Sequence, residues 1–217
     1  MDSCYDFSEV SEMSAKIEAT IEDLYRVPEN GKAEIVGGEL VLMPPTGDMP
    51  ARAGFEIAVS LRRMKGKTPG RAYPDNAGFL VDLPNRRSFS PDAAWYTGPS
   101  TGMKFLEGAP IFAAEVRSED DYGPVSEPRA VATGSSDVKS EAMIKDPISE
   151  RAMAQKRADY FAAGTLVVWD VDLLSPDVIK SYTSEDPETP KIFRPGDIAD
   201  AEPAVPGWRI PVDELFS

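Results

Sequence analysis

Ile111-Phe112-Ala113-Ala114-Glu115-Val116 is an apolar run interrupted by one acid, and it constrains the fold more than any other stretch of the chain. Nearly continuous in apolar residues, Ile111–Arg117 reads as a strand covered on both faces and hence central in its sheet. An ionised carboxylate inside such a strand costs several kcal/mol unless a cation or a donor meets it. A metal, an arginine partner or a raised pKa would each solve that problem, and a metal is the reading preferred. A second acid supports it: Asp92 follows a proline in Ser90-Pro91-Asp92, inside the strand expected over Phe89–Tyr96. Proline cannot donate to a ladder, so this strand is expected at an edge or with a bulge.

Elimination narrows the chemistry. The sequence has no histidine and one cysteine, Cys4. Histidine bases, Ser-His-Asp and Cys-His catalysis and HExxH zinc sites are thereby excluded, and an internal disulfide is impossible. Hydrolysis would have to rest on carboxylates, lysine, tyrosine or serine, with hard metals that prefer oxygen. At 217 residues, 41% hydrophobic and 28% charged, the chain reads as one globular domain. No run approaches the roughly 18 apolar residues of a membrane span, and MDSCYDFSEV lacks a signal-peptide layout, so a cytoplasmic protein is expected. The net charge of −14 opposes nonspecific nucleic-acid binding over the whole surface. Locally, however, Arg62, Arg63, Lys65, Lys67 and Arg71 fall in a stretch without acids, and Arg86-Arg87 forms a smaller basic knot. Both read first as solvated surface, with phosphate contact as the alternative.

Periodicity predicts a helix over about Ser8–Tyr25, capped by Ser8 or Ser11 and striped by Met13, Ile17, Ile21 and Leu24. Strands over Ala33–Val36 and Glu39–Met43 would be joined at Gly37-Gly38, which tolerates the positive φ of a tight hairpin. A helix over about Pro50–Met64 and a strand over Gly78–Leu83 follow. Past Arg117 the pattern dissolves: residues 122–147 read as a flexible insertion, with a helical turn near Glu141–Ile144. A helix over Glu150–Ala163 ended by Gly164, strands over Thr165–Val171 and Val178–Tyr182, and a hairpin joining Lys191–Phe193 to Trp208–Ile210 complete the chain.

AEIVGGELVLMPP, SPDAAWY, FAAEVRSED, AQKRADYFAAGTLVVWDVD and WRIPVDELF, in that order, resemble the successive blocks of the Uma-two type of restriction endonuclease, within the PD-(D/E)XK nuclease superfamily. The resemblance implies an α/β (α+β) restriction-endonuclease-like fold: a central mixed β-sheet flanked by helices, with a divalent metal at one sheet end. It also implies a Mg²⁺- or Mn²⁺-dependent DNA endonuclease. By position, Glu34, Asp92, Glu115 and Lys156 are the catalytic set, with Asp92 and Glu115 on the metal. Arg117, not lysine, stands two residues after Glu115, so the lysine role passes to Lys156 in the following helix. DNA is the implied substrate, no membrane partner is implied, and a homodimer is left open.

Each residue also has a plainer reading. Asp92 could be a turn acid, Glu115 could pair with Arg117, Glu34 could be a solvated strand acid, and Asp170 is a reserve ligand. Lys156 could form an exposed ion pair with Asp159, worth about 0.5 kcal/mol at most. Two other functions stay open: a nuclease-fold protein that binds nucleic acid or protein without cleaving, and an acidic structural module with no ligand.

Overall fold

The computed structural model describes residues 18–27, 31–122 and 147–217. A short helix α1 (Ile21–Tyr25) is capped by Thr20, whose hydroxyl accepts from the Asp23 amide while the Asp23 carboxylate accepts from the Thr20 amide. Among the described residues the helix begins at Ile21, where this capping box closes its N-terminus. Met13, Ile17 and the proposed caps Ser8 and Ser11 lie outside the described residues, as do Glu141–Ile144 and 123–146 of the expected insertion.

Strands β1 (Lys32–Val36) and β2 (Glu39–Met43) form the expected hairpin, with Gly37 and Gly38 at φ of 58° and 75°. Both turn residues take the left-handed region that the primed hairpin turns require. Helix α2 (Asp48–Arg62) follows, and then β3 (Arg71–Pro74), a strand that its basic, proline-ended sequence conceals.

The expected strand over Gly78–Leu83 shrinks to β4 (Phe79–Leu80), and that over Phe89–Tyr96 divides into β5 (Ser88–Phe89) and β6 (Ala93–Tyr96). Pro91 falls in the break between the last two, so no ladder hydrogen bond is lost and β6 can be an interior strand. Of the edge or bulge expected for it, the edge is thereby corrected: the proline is accommodated by an interruption of the strand. After β7 (Leu106–Glu107) come β8 (Phe112–Val116), helix α3 (Pro147–Ala162), β9 (Val167–Val171), β10 (Ile179–Thr183) and β11 (Lys191–Phe193). Strands β12 (Ile198–Asp200) and β13 (Arg209–Pro211) pair with each other, while β11 pairs with β10. The hairpin expected between Lys191–Phe193 and Trp208–Ile210 is thus replaced by two separate pairings.

The main sheet has the order β11-β10-β9-β8-β6-β3, in which β8 and β9 run parallel and every other neighbour antiparallel. It is a mixed sheet with β8 in its interior, covered by α2 on one face. Alternation divides its side chains between two cores. Trp95, Phe112, Ala114, Val167 and Trp169 pack with Ile57 and Leu61 of α2 and with Trp208. Ala94, Tyr96, Ala113 and Val168 pack with Phe79, Phe89 and with Tyr160 of α3. Glu115 shares the parity of Ala113, so it points to the face that α3 covers. Among the described residues, no helix is long and apolar enough to cross a membrane.

Trp208 wedges the C-terminal segment against the α2 face. Its ring lies 5.1 Å from Trp169 and 5.5 Å from Phe112, and its indole N–H donates to Ser60 Oγ at 3.1 Å. Trp208→Ala is expected to lower unfolding free energy by about 3–5 kcal/mol in equilibrium urea titrations, with Trp208→Phe recovering most of the loss. A shift indistinguishable from wild type would show that this ring is dispensable to the core.

Candidate active site

The hairpin β1–β2 docks beside β5 through main-chain contacts. The Ile35 amide donates to Ser88 Oγ at 2.9 Å, and the Arg87 amide donates to the Ile35 carbonyl at 2.9 Å. This docking delivers Glu34, only 2% exposed, to Arg86 and to the Ser90 amide, which donates to Glu34 Oε1 at 2.9 Å. Asp92 sits in the break before β6. Its Oδ2 accepts the Val116 amide at 2.7 Å, which ties the Ser-Pro-Asp turn to the end of β8. Gly54 in mid-α2 admits that turn: a Cβ there would lie 3.3 Å from Asp92 Cβ and 3.4 Å from its carbonyl oxygen.

From α3, Lys156 and Tyr160 reach Glu115 from one helix face, as residues four apart do. Lys156 Nζ lies 2.9 Å from Glu115 Oε2 and 3.0 Å from Glu34 Oε1, and Tyr160 donates its hydroxyl to Glu115 Oε1 at 2.6 Å. The Tyr160 ring stacks on Phe89 with centroids 3.9 Å apart, which fixes the hydroxyl's aim. Glu34, Asp92, Glu115 and Lys156 therefore line one cleft of about 770 Å³, together with Lys32 and Arg86.

The neighbours divide the two glutamates. Burial raises the proton affinity of both, but Lys156, Arg86 and the Ser90 amide hold Glu34 below the usual carboxylate range. Glu115 is pushed up to about 7: burial leads, Lys156 opposes it, and the nearby Asp92 and Glu34 charges add to it. Burial alone would lower the Lys156 ammonium, yet Glu115 and Glu34 hold it above the ordinary lysine value. Burial and the same two acids keep the Tyr160 hydroxyl protonated far up the pH scale, so it donates.

Several plainer readings do not survive this geometry. Lys156 does not pair with Asp159, whose carboxylate accepts from Arg86 at 2.8 Å and from Asn85 and Gln155 at 2.9 Å each. Arg117 does not pair with Glu115. It turns toward β9 and clamps Asp170 through two bonds of 2.7 and 2.8 Å, with Glu150 at 2.7 Å from its third nitrogen. Asp170, contacted also by Arg157 at 3.3 Å, is thereby committed to arginine and is no reserve ligand for the cleft. Arg62, Arg63, Lys65 and Lys67 are exposed at the far end of α2 and beyond, and none lines the cleft. Arg62 and Lys65 border a separate cavity of about 370 Å³ with Phe55, Arg71 and Trp95.

The model for the family Uma2, described as "Putative restriction endonuclease", matches residues 20–213. The chain belongs to the Uma2 family. Among solved structures, the crystal structure of a "putative nuclease belonging to DUF820" from Anabaena variabilis is similar, with a TM-score of 0.63. The likeness covers 91% of this chain and 97% of that one at 13% sequence identity, and it bears on the fold. No curated protein matches the chain. The nuclease-type fold expected from the sequence blocks is the one observed.

Sequence reasoning missed three neighbours of this Uma2 cleft. Lys32 was legible in principle, because it stands two residues before Glu34 and must share its strand face. Tyr160 stood four residues after Lys156 and shares its helix face. Arg86, 5% exposed, was read as solvated surface, and no spacing rule links it to Glu34.

The raised Glu115 makes a pH signature. With no histidine in the sequence, no side chain has an ordinary pKa between about 5 and 7. There the folded protein binds the Glu115 proton and the unfolded chain does not, so stability falls as pH rises through this window. Glu34 and Asp159, both held low, contribute in the opposite sense and only at more acid pH. In EDTA, stability is expected to drop on the order of 2 kcal/mol from pH 5 to 7.5, and Glu115→Gln should flatten the slope. An equal slope in that variant would place the titrating group elsewhere.

Proposed function

We propose that this Uma2 protein is a divalent-metal-dependent endonuclease that hydrolyses DNA phosphodiester bonds. The observation that carries this reading is the convergence of Lys156 with Glu115, Glu34 and Asp92 in one cleft. The donor set suits a hard cation, because the cleft carboxylates offer only oxygen and Glu115 is held up partly by Asp92 and Glu34. That mutual repulsion is what a cation would relieve. Among the described residues, however, no three acids are already arranged as a metal cage. Lys32 and Lys156 sit on Asp92 and Glu115, where ammonium groups stand in for a cation.

Asp92 and Glu115 are the residues that would hold the metal. When bound, a divalent ion of this kind polarises a phosphoryl oxygen and acidifies a water. The protein's own groups do the rest. The Val116 amide and the Tyr160 hydroxyl fix the rotamers of Asp92 and Glu115. Lys156 supplies a fixed positive charge beside the position where negative charge grows on the phosphate. Arg86 and the Ser90 amide lock Glu34, which in turn positions Lys156.

The saturation of these carboxylates by lysine and arginine also favours a second reading, a nuclease-fold module that binds without cleaving. Cleavage of plasmid and labelled oligonucleotides in Mg²⁺ or Mn²⁺ separates the two. Asp92→Ala, Glu115→Ala and Lys156→Ala should each lose cleavage by a factor on the order of 10² or more while remaining folded. Cleavage that persists in Glu115→Ala, or that is indifferent to EDTA, would overturn the metal-dependent reading.

The exposed basic residues after α2 offer a separate test. If Arg62, Arg63, Lys65 and Lys67 meet phosphates outside the cleft, neutralising them should flatten the salt dependence of DNA binding by roughly 0.9 units per lost contact. An unaltered slope would mean that this surface faces away from the duplex.

A further inference from the structure

In the reading above Lys32 only stands in for a cation on Asp92, and its surroundings give it a further role. Its ammonium nitrogen lies 2.8 Å from Asp92 Oδ1 and 2.7 Å from Asp75 Oδ1, so it bridges two acids. The two partners differ in place. The Asp92 side chain is 11% exposed and faces the cleft, whereas that of Asp75 is 43% exposed and lies outside its lining. Lys32 itself lines the cleft with Glu115 and Lys156. Burial by itself would weaken its hold on a proton, but Asp92, then Glu115 and Asp75, outweigh it, and the ammonium stays charged.

Two observations make Lys32 more than a structural cation. Asp92 Oδ2 is already taken by the Val116 amide, so Oδ1 is the oxygen that an incoming cation would use, and Lys32 rests on it. The acids of the inner cluster also already rest on cations: Asp92 on Lys32, Glu115 on Lys156, and Glu34 on Lys156 and Arg86. Acids so occupied offer little net attraction to a divalent ion. One of the cluster's cations must leave, and Lys32 is the one whose second acid, Asp75, is solvent-exposed, whereas the second acids of Lys156 and Arg86 are buried.

We propose that Lys32 is a mobile cationic residue of the cleft, resting on Asp92 in the metal-free protein and passing to Asp75 when a divalent cation takes Asp92 Oδ1. The proposal rests on the metal-dependent reading above. On Asp92, Lys32 competes with the metal and keeps its affinity low. On Asp75, its ammonium borders a cleft whose incoming ligand is a phosphodiester anion, and it adds a second positive charge to that of Lys156. Lys32 thus couples metal occupancy to phosphate binding.

The test is a Mn²⁺ titration followed by the electron paramagnetic resonance of free Mn²⁺, without nucleic acid. It uses wild type, Lys32→Met, Lys32→Arg and Asp75→Asn, each checked for folding by circular dichroism. Lys32→Met is expected to bind Mn²⁺ tighter by roughly tenfold or more, because a unit charge within a few ångströms acts on that scale or above at an effective dielectric of 20. In saturating Mn²⁺ it should cleave DNA at least tenfold more slowly. Lys32→Arg should stay near wild type in affinity, and Asp75→Asn should bind Mn²⁺ more weakly because Lys32 loses its alternative partner. A purely structural lysine would lower affinity and rate together.

If wild type binds Mn²⁺ and Lys32→Met binds it no more tightly, the proposal falls while the metal-dependent reading stands. Should Lys32→Met fail to fold, Asp75→Asn decides, and unchanged or tighter binding there overturns the proposal. Tighter binding by Lys32→Met with undiminished cleavage would overturn the phosphate role. Absence of Mn²⁺ binding in every variant would take both readings down.

Discussion

One ammonium group, that of Lys156, holds the cleft together. It joins Glu34 of the first hairpin to Glu115 of the central sheet, and it arrives from a helix that starts some thirty residues after β8 ends. Both acids are almost wholly buried, and a buried carboxylate without its partner costs on the order of 3–5 kcal/mol. The hairpin, the sheet and α3 are therefore joined by electrostatics as well as by apolar contact. The same demand explains the composition of the inner face of α3, where Lys156, Asp159 and Tyr160 sit where a purely structural helix would place aliphatic residues.

The neighbouring row of the sheet obeys the same logic with a different outcome. Glu115 and Asp170 stand opposite each other on the parallel strands β8 and β9. Asp170 is enclosed by Arg117, whose guanidinium forks onto it, and by Arg157, which touches one of its oxygens. Glu115 meets a lysine and a tyrosine hydroxyl instead, and burial together with the nearby acids outweighs Lys156 and leaves its proton affinity raised. Two adjacent acids thus meet different partners: two guanidinium groups on Asp170, an ammonium and a phenol hydroxyl on Glu115.

The architecture was largely legible in the sequence where one force dominates. The apolar run at Ile111–Val116 had to be an interior strand, Gly37-Gly38 had to be a tight turn, and the acid within the run had to be compensated. Legibility failed where two forces compete. Pro91 argued for an edge strand by hydrogen-bond reasoning, but a break of three residues let β6 stay inside the sheet. The strand Arg71–Pro74 carries too little alternation to be seen, because it borders the sheet and is covered on one side by α2. For the cleft, Glu115 announced itself by being out of place, whereas Glu34 and Asp92 also allowed plainer readings and the cations did not stand out. Lys32, Arg86 and Lys156 sit in sequence settings ordinary for surface residues, and only the fold turns them inward.

The contacts of the cleft join residues far apart along the chain: separations of 41 for Lys156–Glu115, 52 for Arg86–Glu34, 60 for Lys32–Asp92 and 73 for Arg86–Asp159. Contacts this distant form only after large loops have closed, and they belong to the slow side of folding. A nascent chain that has built the strand of Glu115 but not yet synthesised α3 carries an acid with no counterpart. Its sheet has reason to stay open at that end until the helix arrives. Residues that serve the finished cleft therefore also bear on its assembly, because the centre is complete only once α3 has joined the hairpin and the sheet.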